Sequence, residues 1–488
     1  MTKIGDHAVV LGASIGGLLA ARVLADFYRT VTVVERDVLP DTPSNRKGVP
    51  QGRHGHVLLR HGSQIFSELF PGLLDQLVAD GVPVWNDGDL SKLDVSFHGH
   101  QIVRSGRFVD LSSTTFYSPS RPLLEFHVRQ RVLGIANVTM LERHDVLELA
   151  CTPGRDRITG VQIANRDNGT AELLDADLVV DAMGRGSRMP AFLERLGYER
   201  PSEDELVIRL TYSSQPFRLP PGTLKEKVYV YNFVPGRPKA VLLFGYENDN
   251  WLLTVQGMMG QETPSDRAEM LDFVADVAPA HVLEVVKAAE PTGEVARHRT
   301  QSNRWRRYDK LHRLPTGLLV VGDAICSFNP IYGQGMTVAA MDALVMRDCL
   351  RDGGPDLSRQ FFASAAKGIG VAWQMAIGSD LALPEVEASR PISVRLSNIY
   401  NDLVLSAAES DLHVAEQFWK VLNLVERPSH LLRPSVMARV VVTCLRRLAV
   451  GVRSPAGKNQ ARQQERALRN DVPPGLPPRS VPGVGQNL

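Results

Sequence analysis

"HAVVLGASIGGLLAARVLADFYRTVTVVERD", residues 7–37, sets two apolar runs on either side of a glycine-rich bend and a helical repeat. His7–Leu11 reads as a buried strand, Leu18–Phe27 has helical spacing, and Thr30–Glu35 is valine-rich and alternating. Strand, tight turn, helix and strand make a βαβ unit, whose right-handed crossover gives a parallel strand pair. The bend itself, "GASIGG", allows two mechanisms. As a dinucleotide-binding turn it carries Ser14 in the middle glycine position. Gly12 permits the turn, Gly17 lets the helix pack close, and the Ser14 hydroxyl can donate to a phosphate. Ile15 and Gly16 then belong to the helix N-terminus that receives a pyrophosphate. The same residues also spell G-x-S-x-G, a hydrolase nucleophile elbow with Ser14 as nucleophile. An elbow sits on an inner strand and draws its oxyanion hole from an earlier one, and no strand is read ahead of His7–Leu11. Glu35 lies at the end of the second strand, where an acidic side chain holds ribose hydroxyls, with Arg36 beside it. The dinucleotide reading is therefore preferred over the elbow and over a βαβ unit that binds nothing.

Such turns serve NAD and FAD alike, and a second segment chooses between them. "GDAICSFNPIYGQGM", residues 322–336, follows the apolar run "LLVV". A flavin must be held along its length, so a second strand end has to meet its ribityl chain. Asp323 can accept hydrogen bonds from ribityl hydroxyls, and Pro330 fixes a turn under the ring. Gly333 and Gly335 let backbone N–H groups approach the pyrimidine oxygen. Met336 opens the following helix, whose N-terminus favours the negative charge of a reduced flavin. Alone, Asp323 could cap an ordinary helix; beside the first turn, it points to FAD.

With "DLVVDAMGRGSR", residues 177–188, these segments resemble the FAD-dependent monooxygenases of the aromatic-hydroxylase (p-hydroxybenzoate hydroxylase-like) superfamily, over about residues 6–355. The resemblance implies an α/β fold: a Rossmann-like FAD-binding domain of the GR2 type, interleaved with a β-sheet substrate domain. The middle motif links flavin and nicotinamide sites in that family, and here Met183 stands where the family carries Asp. "RKGVPQGRHGH", residues 46–56, is similar to a family segment whose arginine touches the flavin phosphates or ribityl chain, which makes Arg46 a ligand. Arg121, heading "RPLLEF", matches another arginine facing the cofactor. Arg129, further along that helix, and Val146 complete the expected cofactor-binding set. The plain alternative for a single arginine is a solvated surface charge. "RKGVPQGRHGHVLLRHG" and "MGRGSRMPAFLE" look most like bacterial flavin epoxidases acting on polyene precursors of polyether antibiotics.

By that resemblance NADH or NADPH reduces FAD, O2 adds to the ring, and a hydroperoxide passes one oxygen atom to a hydrophobic polyketide, polyene or terpenoid. The setting implied is secondary metabolism, the reaction epoxidation or hydroxylation. A reductase that saturates carbon double bonds, a hydroxylase of an aromatic substrate, and a protein that binds FAD without chemistry are the alternatives. An isolated alkene needs no catalytic base, and no catalytic residue is assigned. A reactive oxygen donor must be shielded from water, so the site should be an apolar cavity beneath the strands around "LVIRLTY", "VYVYNFV" and "AVLLFGY".

The expected organisation is a FAD-binding domain from residues 1–89, 118–200 and 300–355, and a substrate sheet from 90–117 and 201–299. A wholly helical C-terminal region covers 356–453, and a Pro/Gly-rich disordered tail 454–488. The 488 residues, 43% apolar and 22% charged with a formal net charge of +1, suit a folded protein with no general attraction to nucleic acid. Charge is uneven, with eleven Lys/Arg against two Asp/Glu from Arg427 onwards. Four scattered cysteines suit a reducing cytoplasm. The apolar run Ala8–Ala25 reads as structure, not a signal peptide, and no run reaches the roughly 20 apolar residues of a membrane span. His54 and His56 lack a Cys or carboxylate at ligand spacing, so no metal is expected. Residues 431–453, apolar with spaced arginines, could touch an anionic membrane surface or pack on the protein itself.

Overall fold

The computed structural model describes residues 3–354 and 356–449; the expected tail, 454–488, lies outside them. Strand β1 (Gly5–Leu11), helix α1 (Ile15–Phe27) and strand β2 (Tyr28–Val34) form the predicted βαβ unit, with β1 and β2 parallel. Helix α2 (Arg121–Leu133) and strands β3 (Val138–Leu141), β4 (Leu178–Asp181) and β5 (Leu318–Val320) complete the layer. Its five strands are all parallel, in the order β5–β4–β1–β2–β3. Residues Ala8 to Leu11 have no solvent exposure, as expected of a strand covered on both faces. Both read motifs begin at carboxyl ends of this sheet, where open α/β sheets place their ligands.

A nine-stranded mixed sheet covers that end. From Cys326–Ser327 it runs through Ala296–Arg306, Glu203–Arg218, Asn250–Gly257, Lys239–Gly245, Val228–Tyr231 and Leu93–Phe97 to His100–Gln101, with Glu290–Pro291 pairing Glu203–Arg218 as the ninth strand. Residues 300–306, grouped above with the nucleotide layer, thus lie in a strand of the covering sheet. Phe116–Tyr117 instead pairs with Val84–Trp85, outside it. Alternation divides the covering sheet between two cores. Tyr229, Val241, Leu243, Leu253 and Val255 pack against the helices Arg267–Phe273 and Ala280–Ala288. Leu242, Phe244 and Leu252 face the other way, toward the loops and C-terminal helices.

Helix α3 (Gly335–Asp352) follows the second motif and packs on α1. Then come α4 (Leu357–Asp380), α5 (Ile392–Ala408), α6 (Leu412–Leu422) and α7 (Pro434–Ala449). The C-terminal region is not wholly helical. The stretches 382–391 and 423–433 break it, and Pro384, Pro391 and Pro428 account for the breaks, since proline lacks an N–H and obstructs the preceding turn.

Candidate functional site

Gly12 has φ +103°, and a Cβ there would stand 2.7 Å from the Ala182 carbonyl oxygen, so only glycine fits between β1 and β4. A Cβ on Gly17 would overlap the Gly12 carbonyl oxygen, whereas one on Gly16 would meet nothing within 4 Å. The turn is thus closed on one side and bare on the other. Ser14 is the N-cap of α1, in extended conformation, and its hydroxyl makes no capping bond. Ile15, the first helical residue, is buried.

Glu35 closes the turn from β2. Its Oε2 accepts from the Ala13 N–H at 2.9 Å, and its Oε1 accepts from the Asp37 N–H at 3.0 Å. Arg46 stands at the centre of the acids around it. Its guanidinium lies 3.1 Å from Glu35 and from Asp37 and 2.7 Å from Glu125 of α2. Glu125 in turn takes Arg121 at 3.0 Å. Burial would push the Glu125 carboxyl up, but Arg121 and Arg46 outweigh it and hold the group below its ordinary value. The Arg46 Nη2 is buried and has no partner. An orphaned guanidinium N–H on an arginine that shares Glu35 with the Ala13 N–H of a phosphate-type turn fits an anionic ligand nearby.

Asp323 follows β5 closely, and more than a third of its surface reaches solvent. Crowding raises its pKa, and Arg121 and Arg185 oppose the rise. Beyond it, Pro330–Tyr332 form a single 3-10 turn ended by Gly333 at φ +66°. Gly335 and buried Met336 then begin α3. The turn is held from behind by Asp380, the fully buried last residue of α4. Asp380 accepts from Asn303 Nδ2 at 2.6 Å, Asn329 Nδ2 at 3.0 Å and the Tyr332 hydroxyl at 2.7 Å. Burial lifts its pKa to about 6 against the pull of those three donors. No motif in the sequence marks Asp380.

Opposite this turn lies the covering sheet. Ile331 packs against two apolar clusters, one containing Leu242 and Phe244, the other Tyr212, Ala240 and Met258. His54 Nδ1 is 2.8 Å from Ser214 Oγ, which is 2.7 Å from Thr254 Oγ1. The His54 ring meets Tyr212 edge-on at 4.4 Å. Burial, then His298, His56 and Arg53, bring the His54 pKa down to about 3, so the ring is neutral at pH 7. Burial pushes the Tyr212 phenol well above its ordinary value. Tyr212, Ser214 and Thr254 were not singled out in the sequence; their inward positions follow from the strand register.

Three candidates sit apart from the centre. Arg36 is exposed, and its carbonyl accepts from Arg166 at 3.3 Å. Arg129 is buried but directs its Nη2 to the Pro40 carbonyl. Val146 is a core residue whose carbonyl accepts from Arg188. In the middle motif, buried Asp181 takes the Ser187 hydroxyl and accepts from the Met183 N–H at 2.9 Å, so it shapes the "GRGS" bend. A cavity of about 620 Å³, lined by Lys3, Asp6, Tyr28, Arg157 and Asp177, opens at the amino ends of β1 and β4, away from both motifs.

A family model described as squalene epoxidase matches residues 236–364, from the strand Lys239–Gly245 through the Asp323 loop into α4. The chain is 40% identical over 431 residues to Protein Rv3254 of Mycobacterium tuberculosis, spanning 86% of this chain and 90% of that one. It is 27% identical over 380 residues to a kynurenine 3-monooxygenase of Salinispora arenicola, spanning 72% and 73% respectively. Among solved structures, a flavoprotein/dehydrogenase from Cytophaga hutchinsonii matches with a TM-score of 0.64 at 14% identity, over 91% of this chain and 99% of that one. At that identity the likeness is one of fold.

Proposed function

The chain belongs to the FAD-dependent monooxygenases of the aromatic-hydroxylase type, and from that membership we propose that it uses NAD(P)H and O2 to oxygenate a hydrophobic substrate. The product is an epoxide or an alcohol of polyketide, polyene or terpenoid type, made in secondary metabolism. FAD, when bound, supplies the transfer of electrons from a reduced nicotinamide to O2.

The chain's own residues bind and shield. Glu35 accepts ribose hydroxyls, and the N-terminus of α1, with Ser14, Ile15 and Gly16, takes the pyrophosphate. The free N–H of Arg46 faces the phosphates, and Arg121 brings a second cation near Asp323. Asp323 receives ribityl hydroxyls, and the backbone of Gly333 to Met336 meets the pyrimidine edge of the ring. Leu242, Phe244, Val57 and Ile331 keep water from the space between that loop and the covering sheet.

The observation that carries the choice of an apolar substrate is this face: aliphatic and aromatic, with His54 neutral and the Tyr212 phenol pushed up by burial. His54, with so low a pKa, is a weak base for deprotonating a phenol; an isolated alkene needs no base. The family model named for epoxidation supports the same choice. An apolar substrate would come from a lipid surface, and within the described part of 431–453 Leu432, Met437, Val441, Val442 and Leu445 are exposed while Leu431, Val436 and Val440 are buried.

The test is mass spectrometry of products from polyenes, terpenoids and phenols incubated with FAD, NAD(P)H and labelled O2. One labelled oxygen atom per product, with matching oxygen uptake, is the expected result. Product formed without oxygen would show a double-bond reductase instead. A flavin never bleached by NAD(P)H would leave only a binding protein.

A further inference from the structure

Helix α5 carries Ile392, Leu396, Ile399 and Leu403 at spacings of four, three and four, which is one helical face. That face is bare: Ile392 is 74% exposed, Leu396 61% and Ile399 60%. Helix α7 packs on α5 and repeats the pattern, with Met437, Val441 and Leu445 in line and Val442 beside them. Val441 is 55% and Leu445 59% exposed. The inner faces of both helices are conventional, with Val404, Leu405, Val436 and Val440 buried in the core beneath the covering sheet. Two adjoining helices thus bury one apolar face and expose a second. A patch of eight large apolar side chains exceeds the scatter normal on a monomer's surface and marks an interaction site.

Charge selects the partner. Arg395, Arg427, Arg433 and Arg446 are exposed, and none has an acidic partner within ion-pair distance among the described residues. Arg433 precedes Met437 by one turn, and Arg446 follows Val442 by one turn, so both flank the apolar line. The acids nearby are committed: Asp402 and Glu409 to His100, Asp411 to Arg439. A second copy meeting this face about a two-fold axis would bring arginine rim against arginine rim, which is repulsive. A surface apolar in its interior and anionic at its edge satisfies both components. We propose that α5 and α7 form a docking face for an anionic lipid membrane, lying in its interface without crossing it. Among the described residues no helix is long and apolar enough to cross.

The face rests on the proposed function only for its usefulness, since it would draw an apolar substrate from lipid, and its test involves no turnover. Full-length protein is sedimented with vesicles of phosphatidylcholine, with and without phosphatidylglycerol. It should pellet with the anionic vesicles, bind pure phosphatidylcholine far less, and be released by salt. Arg433→Gln with Arg446→Gln should weaken anionic binding about 30-fold, from about 1 kcal/mol for each cation at such a surface. Leu396→Ser, Ile399→Ser and Val441→Ser together should abolish pelleting on both vesicle types, while FAD content and circular dichroism stay unchanged to show a folded chain. The proposal is overturned if the parent stays in the supernatant at every composition, or if the triple variant pellets like the parent. It is equally overturned if the parent is a dimer that the triple variant converts to monomer, or if only a chain cut after residue 450 binds. The first of those means a second copy covers the face, and the last that the chain's own end does.

Discussion

Asp380 gives the sharpest test of the second segment proposed to hold the flavin, because it touches no expected ligand and acts only through the turn it holds. Asp380→Ala leaves Asn303 Nδ2, Asn329 Nδ2 and the Tyr332 hydroxyl buried without their acceptor. At about 1 kcal/mol for each lost bond the clamp is worth about 3 kcal/mol. If that energy keeps residues 329–335 in the binding conformation, losing it lowers the competent fraction, and the apparent Kd for FAD rises in proportion. The ceiling is about 150-fold, since about 1.4 kcal/mol is a factor of ten. Asp380→Asn keeps an oxygen for Asn329 and Tyr332 but sets an amide donor against Asn303, a loss of about 1 kcal/mol or about fivefold. The assay is quenching of flavin fluorescence on titration into deflavinated protein, with hydrogen exchange across residues 328–336. Graded loss, Ala more than Asn, with faster exchange in that segment, is expected. Wild-type affinity and unchanged exchange in Asp380→Ala would refute the clamp.

The two ends of the first turn should separate by substitution. Gly16→Ala meets nothing within 4 Å and sits in a helix, so stability should hold or rise by up to about 1 kcal/mol while FAD affinity falls. Gly17→Ala collides with the Gly12 backbone and should lower the melting temperature as well; equal behaviour of the two would contradict this packing. Arg46→Met removes the cation shared by Glu35, Asp37 and Glu125 and leaves only Glu125 an arginine, Arg121, so thermal melting should report a loss of about 3–5 kcal/mol at neutral pH that shrinks on acidification. His100 supplies a second pH dependence. Burial pulls its pKa down, but bonds to Asp402 and Glu409 prevail and raise it to about 9. A folded value above the ordinary 6.5 gives stability that is complete below about pH 6.5 and disappears as pH rises through about 9. Denaturant midpoints in His100→Gln should therefore lose that slope, on the order of 3 kcal/mol across the window.

What the sequence made legible follows the range of the forces involved. The unit from Gly5 to Val34 is specified by neighbours, two-residue alternation, helical spacing and glycines needed within five positions of each other, and it formed as read. The prolines that interrupt the C-terminal helices were equally local, and expecting unbroken helix there underweighted them against apolar content. The charged centre is different. Arg121 and Glu125 are one helical turn apart and could be paired on paper, but Arg46 reaches Glu125 across 79 positions. Arg129 shows the converse. Eight residues beyond Arg121, it leaves α2 about 80° further round the axis, which carries its guanidinium to Pro40 instead of the cluster. Asp380 had no signal at all, because an aspartate at a helix end is common. Its significance comes from burial, which leaves a carboxylate no water and makes three donors from two distant segments its only solvation. A charge excluded from water must be held by whatever polar groups the fold brings to it, so the residues that stiffen such a site are set by the assembled fold, not by spacing along the chain.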